Sequence, residues 1–349
     1  MVFVDQDMVP LGYMHQKGMF RSQIARYRDG IVFADRESYF VTSREGTRIE
    51  PHDAGGISLQ ASTPYSLESS DSLLWLDDGM VNGKYRSTVI GVSPTGSPSI
   101  RKIDGRVVSS GRCQDTPYAV VSREFGKIGS EETYELAEID MARRQPDRKR
   151  AEWRFDTASS GGRIPYSCDK NGQVSTYMSN GNPVSEGESV RSGFWTVNVH
   201  KGDAEWVPIP LDLASSSAEH GGVDTQYTAP FGSNTSWQNR EGVEYVDSRG
   251  QVSMIKNGQT VASYLFTIAP DIRDRDLDAV AVGEGLEGVS YLTRTDSSGS
   301  PVSGTGDFVF TNFASGKEIR RIPTPEWLSD LVASDPFVIT DIALVGDVE

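Results

Sequence analysis

The chain has 349 residues with 49 acidic and 34 basic side chains, a formal net charge of −15. This charge repels phosphate backbones and anionic lipid surfaces, so nucleic acid is excluded as a partner. The sequence has no run of 18 apolar residues, so we expect no direct membrane insertion. The 35 glycines, 13 tyrosines and 13 phenylalanines are typical of short strands joined by tight turns. We therefore expect an all-β fold.

The first predicted elements belong to an internal repeat. The segment "RDGIVFADRESYFVTSREGTRI" (Arg28–Ile49) aligns without gaps with "REGVEYVDSRGQVSMIKNGQTV" (Arg240–Val261) at an offset of 212 residues, and each copy predicts three strands separated by turns. The tripeptide "AEW" at Ala151–Trp153 recurs at Ala204–Trp206, an offset of 53, which is one quarter of 212. These offsets predict repeating units of about 50 to 60 residues.

Dipeptides that favour two-residue hairpins punctuate these units. They are Asp29–Gly30, Asp78–Gly79, Asn82–Gly83, Asp104–Gly105, Asn171–Gly172, Asn180–Gly181 and Asn257–Gly258. They predict four antiparallel strands per unit, and repeated sheets of this size avoid long exposed edges by closing into a ring. Through these features the sequence resembles the β-propeller superfamily over its whole length, which implies a single domain, 1–349, of six blades, with seven as the alternative.

The last part of the chain refines this expectation. "VAVGEGLEGVSYLT" (Val280–Thr293) has the glycine spacing of a dinucleotide-binding loop, but the residues after Gly288 predict a strand instead of the helix that a pyrophosphate site needs. A short helix is predicted over Thr324–Ser334. "DIALVGD" (Asp341–Asp347) repeats "DAVAVGE" (Asp278–Glu284), so we expect a C-terminal strand that completes the first blade and closes the ring.

The chain has only two cysteines, Cys113 and Cys168. They fall in the entry regions of two successive predicted blades, so we predict a disulfide between them, with two separate buried thiols as the alternative. The even cysteine count, the acidity and the turns rich in Ser, Gly and Asn predict an extracytoplasmic protein, secreted or in the cell envelope, whose signal or anchor is not within the given sequence.

Two connections with histidine and acidic residues form the first candidate site. "PHDAGG" and "AEHGG" each lie between the outer strand of one predicted blade and the inner strand of the next, where propeller connections surround the channel mouth. His52, Asp53, Glu219 and His220 are therefore candidates for a metal site or an acid/base group. The alternative is that each side chain caps its own turn.

A similar connection, "DIRDRDLD", carries the second candidate site. Its acids, Asp271, Asp274, Asp276 and Asp278, are candidate Ca²⁺ ligands, and the alternative is a solvated loop whose acids pair with its own arginines.

No nucleophile elbow, zinc motif or cofactor loop is present, so we predict a non-catalytic extracytoplasmic binding or scaffolding module without a cofactor. Its expected partner is a protein or glycan at the channel-mouth face. The binding residues would be His52, Arg112, Arg163, Glu219, His220 and Asp276. The alternative is a hydrolase or lyase that acts on a carbohydrate or lactone through the carboxylates of Asp53, Glu219 and Asp224, with Ca²⁺ as an optional cofactor.

Overall fold

The structure is a computed structural model, and it describes part of the chain. The described residues are 2–5, 7–13, 24–27, 30–34, 37–43, 46–51, 62–65, 72–92, 99–113, 116–123, 131–141, 148–156, 166–179, 192–208, 236–238, 242–246, 250–256, 263–272, 275–282, 287–297 and 301–334. The chain forms two compact units. The first unit consists of Met1–His52, Val246–Val252 and Tyr264–Glu349, and the second of Asp53–Tyr245 and Ser253–Ser263. One domain over 1–349 stays a prediction.

The described elements are almost all strands, which confirms the all-β class. A short sheet pairs β1 (Val2–Val4) with β2 (Pro10–Tyr13). The first four-stranded sheet contains β3 (Ile24–Tyr27), β4 (Gly30–Ala34), β5 (Ser38–Ser43) and β6 (Gly46–Pro51). The second contains β7 (Ser62–Tyr65), β8 (Ser72–Val81), β9 (Lys84–Val92) and β10 (Ser99–Asp104). The third contains β11 (Arg106–Cys113), β12 (Thr116–Ser122), β13 (Glu131–Glu138) and β14 (Arg148–Asp156).

Three further four-stranded sheets follow. The fourth contains β15 (Tyr166–Cys168), β16 (Gln173–Ser179), β17 (Ser192–Asn198) and β18 (Ala204–Pro208). The fifth contains β19 (Ser236–Gln238), β20 (Gly242–Val246), β21 (Gln251–Lys256) and β22 (Ser263–Thr267). The sixth contains β23 (Arg275–Val282), β24 (Glu287–Thr295), β25 (Pro301–Asn312) and β26 (Lys317–Pro323). In every sheet the strand order follows the chain, and helix α1 (Glu326–Ser334) follows β26 where the sequence predicts a helix.

The repeat that the sequence predicts corresponds to equivalent strands. An offset of 212 residues brings the start of β4 onto the start of β20, and β5 and β21 follow in register to within one residue. These are the second and third strands of the first and fifth sheets. Four sheets in 212 residues agree with the predicted unit length.

The hairpin dipeptides do not all act as hairpins. Asn82 and Gly83 have φ values of 52° and 76° and join β8 to β9, as a two-residue turn with two positive φ angles requires. Gly79 instead lies inside β8, next to a register shift after Asp77. Gly105, at φ 119°, connects the second sheet to the third, and a Cβ there would lie 2.6 Å from Val121 Cγ1.

The first four-stranded sheet has its own first strand. β3 pairs with β4 from Ile24 opposite Phe33 to Tyr27 opposite Gly30. The prediction that this sheet lacks its innermost strand is therefore wrong, because the four-residue segment is too short to show a clear alternation. The predicted strand at Asp341–Asp347 lies outside the described residues.

Apolar layers lie between successive sheets of the second unit. One core unites the third and fourth sheets, with Tyr134, Leu136 and Phe155 from the third and Val174 and Met178 from the fourth all at most 2% exposed. A second core packs the other face of the third sheet against residues of β9 and β10. The third sheet is thus covered on both faces. Among the described residues, no helix is long and apolar enough to cross a membrane.

Candidate functional site

The two connections with histidines lie where the sequence predicts them in chain order. His52 and Asp53 fall between β6 and β7, the last strand of the first sheet and the first strand of the second. Glu219, His220 and Asp224 fall between β18 and β19, which is the same kind of connection. All five residues lie outside the described residues, so their roles stay predictions.

The other predicted binding residues occupy different kinds of position. Arg163, between β14 and β15, lies outside the described residues. Arg112 is within β11 and Asp276 is within β23, so both belong to strands and not to connections. This corrects the predicted placement of Asp276 in a connection, and it places Arg112 one residue before the end of β11 at Cys113.

Of the four predicted calcium ligands, Asp271 is the one whose side chain the structure describes. Asp271 receives two hydrogen bonds from Arg321, Nη1 to Oδ2 at 2.9 Å and Nη2 to Oδ1 at 2.7 Å. Arg321 also binds Glu318 at 2.6 Å, and these hydrogen bonds raise the pKa of its guanidinium above the ordinary value. Asp276 and Asp278 belong to β23, while Asp274 lies outside the described residues. Asp271 is thus paired with an arginine, although that arginine comes from β26 and not from its own loop.

The predicted disulfide is present between Cys113 and Cys168, whose Cα atoms are 5.3 Å apart. It joins the ends of β11 and β15, the first strands of the third and fourth sheets. β11 also contacts β7, the first strand of the second sheet. The first strands of three consecutive sheets are therefore neighbours, and the disulfide ties two of them together.

Glu132, near the start of β13, is a buried residue with one carboxyl oxygen that has no hydrogen-bond partner among the described residues. The side chain of Glu132 is 2% exposed. Its Oε2 accepts hydrogen bonds from Ser122 Oγ at 2.9 Å and Tyr134 Oη at 3.0 Å, and its Oε1 is buried without a partner. Alternate residues of β13 point to the same face, so the sequence "EETYELAE" aims Glu132 at the layer that holds Tyr134 and Leu136.

Three more polar atoms in this layer have no partner. They are Trp153 Nε1, Trp195 Nε1 and Thr176 Oγ1. Trp153 stacks on Tyr134 with ring centroids 6.4 Å apart and on Trp195 at 5.6 Å. The layer between the third and fourth sheets therefore holds one carboxyl oxygen and two indole N–H groups without partners in apolar surroundings, an arrangement that suits enclosed water. Sequence analysis missed Glu132, although an acid on an inward-facing position of an alternating strand is a detectable signal.

The described residues provide no metal site. No group of three or more His, Cys, Asp or Glu side chains within them has the geometry to hold an ion. Of the four histidines, only His200 is described; it is exposed on the turn after β17, where its backbone N–H binds Asn198 Oδ1 at 3.0 Å.

Several solved structures resemble this chain in fold. No family model and no curated protein matches the sequence. The structure resembles a lignostilbene dioxygenase from Pseudomonas brassicacearum with a TM-score of 0.54 and 10% identity, over 87% of this chain and 72% of that one. It resembles a point mutant of the Synechocystis apocarotenoid oxygenase with a TM-score of 0.51 and 10% identity, over 93% and 77% of the two chains. A chimera of that oxygenase matches with a TM-score of 0.52 and 9% identity.

These likenesses correct two predictions. The proteins that share this fold are a dioxygenase and an oxygenase, which contradicts our inference of a non-catalytic binding or scaffolding module for a protein or glycan. Oxygen chemistry in proteins relies on haem, flavin, copper or non-haem iron, so the expectation of no cofactor, or of Ca²⁺, is also contradicted. The absence of a local sequence motif does not exclude a site that distant segments assemble.

Proposed function

We propose that the chain is an enzyme built on a β-propeller. Two observations support the propeller: each four-stranded sheet is a meander, and the first strands of the second, third and fourth sheets are neighbours, as in blades arranged around an axis. The six four-stranded sheets are the proposed blades.

The fold likeness to two oxygenases is the observation that carries the proposed activity. The likeness covers 87% of this chain and 72% of the dioxygenase. It therefore involves several successive sheets and not one shared sheet. We propose oxygenation of a conjugated, apolar alkene as the reaction class, by analogy with the lignostilbene and the apocarotenoid in the names of those enzymes. Fold analogy is the warrant for this step.

The proposed metal ligands are the imidazoles of His52 and His220, and their neighbours in sequence, Asp53 and Glu219, are the candidate carboxylates. Imidazole is a suitable ligand for iron and copper, and two imidazoles with a carboxylate form a common set for non-haem iron. Support comes from their equivalent positions in chain order, each between the last strand of one sheet and the first strand of the next. The extracytoplasmic location remains part of the proposal, and the disulfide supports it.

The test combines metal analysis with an activity assay. Protein purified after growth with added Fe²⁺ is analysed for bound metals, and oxygen uptake is followed with a stilbene and with an apocarotenoid. We expect bound transition metal and oxygen uptake in the parent, and loss of both in His52→Ala and His220→Ala. His200→Ala is the matched control, because this exposed histidine lies in the described turn away from both connections in sequence.

The opposite pattern would favour the hydrolase or lyase alternative. In that case neither substrate drives oxygen uptake, a carbohydrate or lactone is turned over, and Asp53→Asn or Glu219→Gln abolishes that turnover. Equal metal content in all three histidine variants would remove His52 and His220 as ligands.

A further inference from the structure

The turn between β8 and β9 exposes an Asn–Gly pair to water. Asn82 and Gly83 form this turn alone, since Val81 pairs with Lys84 at the ends of the two strands. Both turn residues are exposed. A Cβ built on Gly83 would meet no heavy atom of the described chain within 4 Å apart from its chain neighbours. This side of the turn is therefore open.

The peptide bond between Asn82 and Gly83 lies outside the hydrogen-bond ladder of the hairpin. Among the described residues, no backbone carbonyl accepts the N–H of Gly83, and the side chain of Asn82 makes no hydrogen bond. In a two-residue hairpin the ladder ends at the flanking pair, here Val81 and Lys84. Rotation of the Asn82–Gly83 peptide therefore breaks no ladder hydrogen bond.

A second Asn–Gly pair, Asn171 and Gly172, is arranged in the opposite way. It lies in the turn between β15 and β16, where the N–H of Gly172 donates to Asp169 O at 3.1 Å. The side-chain amide of Asn171 donates to Asp169 Oδ2 at 3.2 Å. Gly172 is buried, and a Cβ there would lie 2.8 Å from His200 Nε2. The same dipeptide is thus covered and hydrogen-bonded in the fourth sheet and open in the second.

This difference has a chemical consequence, because an Asn side chain can react with the backbone nitrogen that follows it. The Gly83 nitrogen attacks Cγ of Asn82, the N–Cγ bond forms, the Cγ–Nδ2 bond breaks, and ammonia leaves with the proton of the Gly83 amide. Water then adds to either carbonyl of the five-membered imide and opens it to aspartate or to isoaspartate. Glycine favours the attack because it has no Cβ to obstruct it. Hydroxide favours it by removing the amide proton, which must be accessible to water.

We propose that Asn82 is a site of spontaneous deamidation in the folded chain, with water as the co-reactant, and that the fold protects Asn171. Both products add one negative charge to a chain of formal charge −15. Isoaspartate also adds a methylene group to the main chain of a turn that requires two positive φ angles. The pairing of Val81 with Lys84 should therefore weaken as isoaspartate accumulates. The inference does not depend on the proposed enzymatic activity.

Mass spectrometry of the full chain after incubation tests the proposal. The folded protein is kept at mildly alkaline pH, sampled over time and digested, and peptide fragmentation locates the loss of amide at each asparagine. An isoaspartyl methyltransferase detects the isoaspartate product. We expect the amide of Asn82 to be lost at least about tenfold faster than that of Asn171, since the two hydrogen bonds of the Asn171 turn together slow its reaction by about that factor. The rate at Asn82 should rise with pH.

Two controls separate the effect of the fold from that of the dipeptide. In urea both pairs are exposed, so Asn82 and Asn171 should react at similar rates. Asn82→Gly removes the reactive amide and keeps a residue that accepts positive φ, so it should abolish the signal at this turn and leave that of Asn171 unchanged. Equal rates at the two asparagines in the folded chain, faster loss at Asn171, or the same ratio of rates in urea as in the folded chain would overturn the proposal.

Discussion

Removal of the Cys113–Cys168 disulfide should destabilise the second unit strongly. The bond closes a loop of 55 residues. The loss of loop-closure entropy in the unfolded chain corresponds to about 4 kcal/mol at room temperature for a loop of this length. Both cysteines belong to the second unit, so the effect should fall on the transition of that unit. Cys113 is 1% exposed within its core, so the double variant Cys113→Ala/Cys168→Ala also loses some packing.

Urea denaturation followed by tryptophan fluorescence measures this effect, because Trp153, Trp195 and Trp206 lie in the core beside the disulfide. The parent is compared with and without a reductant, and the double variant is measured under the same two conditions. We expect reduction to lower the free energy of unfolding of the parent by about 4 kcal/mol and to leave the double variant unchanged. Alkylation confirms that the thiols are free in the reduced parent. Equal stability of the oxidised and the fully reduced parent would refute the reasoning.

Three further predictions concern single side chains. Glu132→Ala removes the hydrogen bonds that the Ser122 and Tyr134 hydroxyls donate to Glu132 and should lower the free energy of unfolding by about 1 to 3 kcal/mol. Glu132→Gln keeps an acceptor oxygen and should lose less in the same urea experiment. Trp327→Phe removes the hydrogen bond to the Met8 carbonyl and should cost about 1 kcal/mol in thermal unfolding, with faster exchange of the β1–β2 hairpin amides as its signature. Burial raises the pKa of the Tyr118 phenol, so the unfolded chain loses this proton at a lower pH than the folded chain does. The free energy of unfolding should therefore fall as the pH rises from the ordinary tyrosine pKa through the raised pKa of the folded chain. Tyr118→Phe should flatten that fall in denaturation curves measured over this alkaline range.

The repeat could be predicted from the sequence because equivalent strands kept equivalent residues. Gly30 and Gly242 begin β4 and β20, and the 53-residue offset of "AEW" divides the spacing between these glycines into four units. The disulfide was also predictable, since only two cysteines occur and both fall near the first strands of successive sheets. For the repeated glycines and the two cysteines, the local sequence pattern agrees with the position of each residue in the fold.

Other features could not be obtained from local pattern. β3 is four residues long and shows no distinctive alternation, so its place in the first sheet depends on pairing with β4. Gly79 and Gly105 follow aspartates just as a hairpin glycine does, yet one lies within a strand and the other between sheets. The partner of Asp271 comes from β26, 50 residues further along the chain, and loop composition does not indicate it. In the case of Asp271, a distant segment decides the pairing.

The order of strands in the sheets has a consequence for how the chain folds. Each four-stranded sheet uses one continuous stretch of sequence, so during synthesis each can form from neighbouring strands soon after its last strand emerges from the ribosome. The β1–β2 hairpin is the exception, because its bonds to Arg320 and Trp327 span 313 and 319 residues. Val4 and Met8 of the β1–β2 hairpin pack against the sixth sheet, so they cannot bury their side chains there until that sheet has been synthesised. Docking of the hairpin onto the sixth sheet is therefore a late step in the assembly of the first unit, and until then Val4 and Met8 remain accessible to a chaperone.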